Sequence, residues 1–315
     1  WELVIPVLLP TLAVREEIAS SVARDLLVSA AVWVGRSGAN SPGQSGSAGD
    51  APHESPGTAL GLLAAAHARA PRDEEALVLL VDARRGEPNQ ALVDTLLALS
   101  ELSGTDLTLL KEATTVTHKH LADGDAALRI GRQLLAAASD RVGDPSAGDA
   151  GELEGFVLWS LGVVTSILEA RGELVAVKDA YLAAGRLALP VPTTSSLLAA
   201  AARLAPDAEA AALYEELYAR DPSSTQLAEQ LLSLYEKLGQ PADRARVYGK
   251  LAEAEPDADV RAGHRLEKAN LHDMLGEPEL AIAELYATLD ELASHRATVD
   301  RLLELLATQQ QSEKL

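Results

Sequence analysis

Short turns built on a small residue or a proline break the helical pattern of this chain six times, and a second amphipathic stretch follows each break. The turns are centred on Gly86, Gly124, Gly172, Ala205, Gly239 and Gly276, which lie 38, 48, 33, 34 and 37 residues apart. A recurrence of this length is typical of helical hairpins that stack side by side, each burying one face against the next. The sequence therefore predicts an all-α fold, an α-solenoid of stacked antiparallel helical hairpins.

The composition favours helices as well. Hydrophobic residues make up 47% of the chain but aromatic residues only 3%, so Ala and Leu supply most of the apolar surface. Both are strong helix formers, and β-branched runs of strand length are scarce. A chain of 315 residues would ordinarily form about two compact domains. Stacked hairpins need no such division, because each layer buries its apolar face against its neighbours. We expect no sheet.

Proline and glycine positions set the predicted helix bounds. Second helices start at Pro88, Pro206, Pro241 and Pro278, where the missing N–H of proline costs nothing. First helices are predicted at 105–122, 152–170, 193–204, 224–238 and 259–275. Second helices are predicted at 88–102, 125–139, 173–188, 207–219, 241–254 and 278–293, with a last helix at 296–308. A soft segment at 143–151 accounts for the one long spacing.

The first 57 residues fall outside this pattern. Residues 1–34 are apolar with scattered charges and predict an N-terminal helical segment, whereas 35–57 are rich in Gly, Ser and Pro and predict a flexible linker. The longest uncharged run, from Leu3 to Val14, has 12 residues and is shorter than the about 20 of a membrane span. An alternative is the remainder of a signal peptide ending near Ala13. Because the chain opens on Trp1, we expect the native N-terminus upstream.

Particular residues recur at fixed distances from the turns. Ala210, Tyr214 and Pro222 follow Ala205 at 5, 9 and 17 residues; Tyr248 and Pro256 follow Gly239 at 9 and 17, and Tyr235 precedes it by four; Tyr181 follows Gly172 at nine and Ala281 follows Gly276 at five. This pattern resembles the tetratricopeptide repeat family, most clearly over 193–293. Small residues let two helices approach closely, and an aromatic side chain fills the gap to the next hairpin. We expect divergent helical repeats over 58–150 and tetratricopeptide-like repeats with a terminal helix over 151–315.

The resemblance implies a right-handed superhelix in which the first helices line a concave groove that holds other proteins. The candidate partner-binding residues, counted outward from each turn along these helices, are Trp159, Ser166, Glu169, Ala199, Arg203, Gln226, Glu229, Ser233, Glu236, Asn270, Asp273 and Met274. Tyr218 is added because most other tyrosines stand at packing positions of the repeat and Tyr218 stands at none. Trp159 is the best candidate for an exposed anchor, since an anchoring Trp in a groove is a typical hot spot.

Charge restricts the class of partner. The net charge of −20 and the pI of about 4.7 disfavour nucleic acid and anionic membranes, because both require basic patches. Family members that grip acidic peptide tails use a Lys and Asn pair on one first helix, with further basic residues on the next ones. No such pair stands at that spacing here, and the groove candidates are mixed to acidic. We therefore expect a basic or amphipathic protein or peptide partner and no insertion into a membrane.

The sequence predicts no catalytic, metal or cofactor site. The chain has no cysteine, which excludes disulfides, thiolate metal sites and a thiol nucleophile. His118 and His120 are two residues apart and point to different sides of a helix, and Lys268 stands between His264 and His272. The acidic loops lack the ligand pattern of an EF-hand, and the Gly-rich segment lacks the ending of a phosphate-binding loop.

Two hypotheses for the function follow. The first is a non-enzymatic scaffold that binds a protein or peptide in the groove and belongs to a larger assembly. The alternative is a helical accessory or regulatory domain of a larger enzyme or sensor, whose catalytic part lies outside these residues; the start at Trp1 and the linker at 35–57 favour it. We expect a bacterial protein of the cytoplasm, with the periplasm as the alternative.

Overall fold

The computed structural model describes residues 20–38, 58–144 and 146–312, and within these ranges the chain forms fifteen α-helices and no β-strand. The first seven helices are α1 Ser20–Gly38, α2 Ala59–Arg69, α3 Glu74–Arg84, α4 Gln90–Leu102, α5 Leu107–Lys119, α6 Gly124–Arg141 and α7 Ala150–Ala170. The other eight are α8 Leu174–Gly185, α9 Val191–Leu204, α10 Asp207–Arg220, α11 Thr225–Lys237, α12 Pro241–Ala254, α13 Ala258–Met274, α14 Pro278–Glu291 and α15 Arg296–Ser312. The prediction of an all-α fold is confirmed.

The predicted helices between 88 and 308 are all present, with bounds within four residues of those expected. One break was not predicted: residues 70–73 separate α2 from α3, and the carboxylate of Asp73 caps α3 by accepting the N–H of Ala76 at 2.8 Å.

The prediction of a linker beginning at residue 35 is wrong at its first four residues, which are helical because α1 continues to Gly38. This helix packs along α2, and near its end a Cβ on Gly35 would lie 4.0 Å from the Cβ of Ala59. The helix α1 therefore continues past the point at which the sequence becomes rich in Gly and Ser. Residues 39–57 of the predicted linker, and residues 1–19 of the predicted N-terminal segment, lie outside the described residues.

The described residues divide into two compact units, the first ending at Ile167 and the second beginning at Leu168. In the first unit, each helix from α2 to α6 packs against the helix that precedes it in the chain. In the second unit the same holds from α9 to α15, and α13 also contacts α15. Because a helix that packs on its predecessor after a short turn must run back along it, the predicted stack of antiparallel hairpins is confirmed within each unit.

Three of the predicted turns share one left-handed glycine geometry. The φ angles of Gly172, Gly239 and Gly276 are 74°, 65° and 75°, in the region that costs other residues strain. In each turn the residue after the glycine donates its N–H to the carbonyl five positions earlier: Glu173 to Leu168 at 3.0 Å, Gln240 to Tyr235 at 2.9 Å and Glu277 to His272 at 2.9 Å. This arrangement closes the helix end and starts the return helix in the same way each time.

Most packing positions implied by the tetratricopeptide resemblance are buried in the second unit, whereas Tyr181 and Tyr248 are half-buried. The buried residues at these positions are Ala210, Tyr214, Tyr235, Ala281 and Leu285. Helices α8 and α9 approach most closely at Gly185, where a Cβ would lie 2.9 Å from Cδ2 of the buried Leu198. Small residues at crossings and aromatic residues between layers thus act as the sequence pattern predicts.

Ion pairs join three successive second helices. The pairs are Lys178 with Glu209 at 2.7 Å, Arg186 with Glu216 at 2.6 Å and Arg246 with Glu215 at 2.6 Å. Lys178 lies on α8 and Arg186 directly follows it, all three glutamates lie on α10, and Arg246 lies on α12. The partners are 30 or 31 residues apart, so each pair connects one hairpin to the next.

Of the described helices, α7 alone has both the length, 21 residues, and the apolar composition of a membrane-spanning segment. Half of its most apolar stretch is buried within the protein. It packs closely on α6, where a Cβ on Gly131 would lie 3.3 Å from Cγ2 of Val164. The buried hydroxyls of Ser160 and Thr165 bond to carbonyls of their own helix, at 2.7 and 2.9 Å. Packing against other helices accounts for the composition of α7.

Candidate functional site

Helix α11 presents four of the predicted partner-binding residues on one exposed face. Gln226, Glu229, Ser233 and Glu236 follow at spacings of three, four and three residues, which places them on one stripe of an α-helix. All four side chains are exposed, while the opposite side of α11 packs into the core between α10 and α12. The polar stripe therefore faces solvent, while the opposite face of the same helix is fixed by packing in the core. A role of this stripe in binding stays a prediction.

Four other predicted residues are spread along the helices of the second unit. Glu169 and Arg203 are exposed near the ends of α7 and α9, and Ala199 is half-buried. Met274, at the end of α13, is 73% exposed, an uncommon degree of exposure for an apolar side chain. The structure does not bring these four residues together into one cluster.

Asn270 and Asp273 instead connect two helices. Arg301 of α15 donates from Nε to Oδ1 of Asn270 at 2.8 Å and from one terminal nitrogen to Oδ2 of Asp273 at 2.6 Å. All three side chains are half-buried. Their polar groups hold α15 against α13, and this internal use competes with the partner-binding role that the sequence predicts.

The expectation that Tyr218 faces a partner is wrong. Its exposed fraction is 0%, and its hydroxyl has no hydrogen-bond partner among the described residues. The ammonium of Lys250 lies 5.4 Å from the ring centroid. Burial, with the nearby carboxylates of Glu215 and Glu253, raises the pKa of Tyr218. Tyr218 stands four residues after the buried Tyr214, so both rings share the core face of α10, and this spacing could have revealed its burial.

A charged network surrounds the buried Tyr235. Its hydroxyl donates to Oε1 of Glu215 at 2.9 Å, and Arg246 donates to the same carboxylate at 2.6 and 3.1 Å. Burial, with the hydrogen bond to Glu215, raises the pKa of Tyr235 to about 12. Burial opposes ionisation of Glu215, but the hydrogen bonds from Arg246 and Tyr235 outweigh it and lower the pKa of that carboxyl. The network ties α10, α11 and α12 together and presents no unpaired group for chemistry.

In the first unit, Trp159 and Ser166 line a groove between α5 and α7. The groove encloses about 430 Å³ and is lined by Thr114, Thr115, His118, Lys119, Leu158, Trp159, Gly162, Val163 and Ser166. This volume lies within the about 300–1,000 Å³ of ordinary ligand pockets. Trp159 is half-buried, Leu158 is 39% exposed, and a Cβ on Gly162 would meet no atom within 4 Å. The two helices leave an apolar wall with an aromatic anchor open to solvent.

Lys111 of α5 lies at one edge of this groove. The ammonium of Lys111 lies 5.2 Å from the ring centroid of Trp159 and 5.5 Å from that of Phe156, within the range of cation–π attraction. The adjacent Glu112 accepts two hydrogen bonds from Arg85, both 2.9 Å long. The α5 side of the groove was not predicted, although Lys111, Thr115 and His118 follow the i, i+4, i+7 spacing of one helix face.

The histidines on α13 take part in local packing. The ring of His264 lies against that of Tyr248 with centroids 6.0 Å apart, and Nδ1 of His272 is 2.8 Å from a carboxylate oxygen of Glu277. Within residues 20–38, 58–144 and 146–312, no group of three or more His, Asp and Glu side chains is placed to hold a metal ion.

These features define an α-helical repeat fold similar to that of tetratricopeptide repeats: paired antiparallel helices, left-handed glycine turns, and small and aromatic residues between layers. No protein-family model matches the chain, and no curated protein matches it.

Several solved structures are similar to it. A tetratricopeptide repeat protein from Parabacteroides merdae is 14% identical, with 90% of this chain and 98% of that chain covered and a TM-score of 0.29. TTC0263, a thermophilic TPR protein from Thermus thermophilus, is 15% identical over 90% and 99% of the two chains, with a TM-score of 0.26. The TPR2AB domain of yeast Sti1, solved in complex with pHSP90, is 18% identical over 78% and 89%, also with a TM-score of 0.26. At such low similarity, the repeat architecture rests on this chain's own turns and packing.

Proposed function

We propose that the chain is a non-catalytic scaffold that holds a protein or peptide partner on the exposed faces of its first helices and acts within a larger assembly. The observation that carries the proposal is the groove between α5 and α7, where a half-buried Trp stands in an open apolar wall. Aromatic side chains in such a setting supply much of the binding energy of protein interfaces. The helices on either side are fixed by core packing, so little ordering is needed on binding.

The exposed stripe on α11 supports a contact with a second segment of a partner. It carries two carboxylates, Glu229 and Glu236, beside the neutral polar side chains of Gln226 and Ser233. A stripe of this composition on a chain of net charge −20 is complementary to a basic or amphipathic segment. Contacts of this kind set the rate and specificity of association more than its affinity.

Site-specific photo-cross-linking in the native host tests the proposal. A cross-linking amino acid replaces Leu158 in the groove, Ser233 in the α11 stripe, or Ala212, an exposed control position on the second helix α10. We expect discrete cross-linked partners from positions 158 and 233 and none from 212. Absence of any cross-linked protein at 158 and 233, or the same products from all three positions, would refute the scaffold function.

A further inference from the structure

The two sides of the α5–α7 groove differ in chemistry. Helix α7 contributes the apolar side chains of Leu158, Trp159 and Val163, whereas α5 contributes the basic side chains of His118 and Lys119. Of the residues that the structure describes, no Asp or Glu lines the groove. An occupant must therefore match an apolar wall and a basic rim at the same time.

The cations on this rim have no internal counter-ion. Among the residues that the structure describes, no carboxylate lies within ion-pair distance of Lys111 or Lys119, and the neighbouring Glu112 is bound to Arg85. The chain carries 47 acidic and 27 Lys and Arg residues, so counter-ions are abundant elsewhere. Two lysines left unpaired beside one apolar wall make this groove locally opposite in sign to the whole protein.

Lys111 places a positive charge next to the aromatic ring of Trp159. Its ammonium is held 5.2 Å from the Trp159 centroid, so an anion that contacts this ammonium also lies next to the indole ring. A polypeptide segment with a carboxylate beside an apolar side chain places the first against Lys111 and the second against Trp159. A basic segment would put like charges together in a partly desolvated groove, which is unfavourable.

We infer that the α5–α7 groove binds an acidic segment of another polypeptide, with an apolar side chain against Trp159 and carboxylates beside Lys111 and Lys119. The inference rests on the proposed scaffold function and names the partner segment for this groove. This acidic segment is opposite in charge to the basic or amphipathic segment proposed for the α11 stripe. The scaffold therefore binds the two kinds of segment at different places.

Three synthetic 12-residue peptides test the inference with the whole chain. They share the same Leu and Phe positions and carry Glu, Gln or Lys at all remaining positions, and fluorescence anisotropy measures their dissociation constants. We expect the Glu peptide to bind at least about tenfold more tightly than the Lys peptide, with the Gln peptide between them. Affinity for the Glu peptide should fall as salt rises, because the charges on the rim are partly exposed.

Substitutions in the groove test whether the peptides bind there. Lys111→Gln and Lys119→Gln should each weaken the Glu peptide about three- to tenfold, while Lys237→Gln, an exposed lysine on α11, is the matched control and should change nothing. Trp159→Phe should weaken the Glu and Gln peptides alike, since it reduces the anchor and leaves the charge. Far-UV circular dichroism and thermal unfolding of each variant verify that the helices are intact.

Four results would overturn the inference: a Lys peptide that binds as well as the Glu peptide, no binding of any peptide, an equal loss in Lys237→Gln, or no loss in either groove lysine variant. None of these refutes the scaffold function if position 158 still cross-links to a host protein. Loss of the cross-links at both 158 and 233, in turn, refutes the scaffold function whichever peptide binds.

Discussion

Replacing Tyr235 by Ala tests the layered packing of the second unit. The side chain is 6% exposed, lies in the core formed by α9 to α12, and donates to Glu215 at 2.9 Å. Removal of a buried aromatic ring costs about 3–5 kcal/mol where the surroundings cannot collapse, and layers of single helices relax more easily than a globular core. Glu215 keeps its bonds to Arg246, so loss of the hydroxyl adds only about 1 kcal/mol. We expect the free energy of unfolding to fall by about 2–4 kcal/mol.

Urea unfolding followed by far-UV circular dichroism measures this change. Tyr235→Phe keeps the ring and removes only the hydroxyl, so it should cost about 1 kcal/mol. Tyr286→Ala is the matched control, because Tyr286 is 50% exposed and its loss should change stability by less than about 0.5 kcal/mol. A change within about 0.5 kcal/mol for Tyr235→Ala would place this ring on the surface and refute the repeat register.

The same residue predicts an alkaline dependence. Burial and the bond to Glu215 raise the pKa of Tyr235 to about 12, whereas an unfolded tyrosine ionises near 10. The stabilisation is therefore complete below about pH 10 and is lost as the pH rises through about 12, because the unfolded state releases its proton first. The stability difference between wild type and Tyr235→Phe should shrink from pH 9 to pH 11. A constant difference would contradict the buried hydrogen bond to a carboxylate.

Three further substitutions test other features. Gly276→Ala should destabilise the second unit by about 1–2 kcal/mol because of the left-handed φ of 75°. Its control is Gly263→Ala, inside α13 with open space around it, which should be neutral or stabilising by up to about 1 kcal/mol. Urea unfolding compares the two variants, and equal effects would refute the turn geometry. Burial, and to a lesser extent the charge of Arg84, lower the pKa of His67, so the wild type should lose stability as the pH falls below about 6.5. The loss of thermal stability between pH 7 and pH 5 should therefore be smaller in His67→Gln than in the wild type. Tyr218→Phe removes a buried hydroxyl without a partner and should raise the unfolding free energy or leave it unchanged; a loss above about 1 kcal/mol would reveal a hidden hydrogen bond.

The sequence predicts the helices well because their ends have local causes. Gly239 and Gly276 adopt backbone angles that few other residues tolerate, and Pro241 and Pro278 start the helices that follow. The missed break before α3 has equally local signals, Pro71 and the capping Asp73. Such features are visible in a window of a few residues and need no knowledge of the partner helix.

The candidate site was less predictable because it depends on contacts between distant residues. Trp159 was selected from the repeat register, but the lysine beside it, Lys111, lies 48 residues earlier on a helix in the most divergent part of the chain. The pairing of Asp273 with Arg301 likewise spans 28 residues. A polar residue on a predicted groove face looks the same in the sequence whether its partner is another protein or the next layer of its own stack.

The alternation of paired acidic and basic residues from α8 to α12 limits how this gene can lengthen by duplication. Glu215 and Glu216 of α10 pair with a basic residue from either side, Arg186 directly after α8 and Arg246 of α12. Duplication of the single hairpin that contains α10 would set two copies of this acidic helix next to each other, at a cost in repulsion. Duplication of two consecutive hairpins would preserve the alternation, so we expect tandem expansion and loss in steps of four helices.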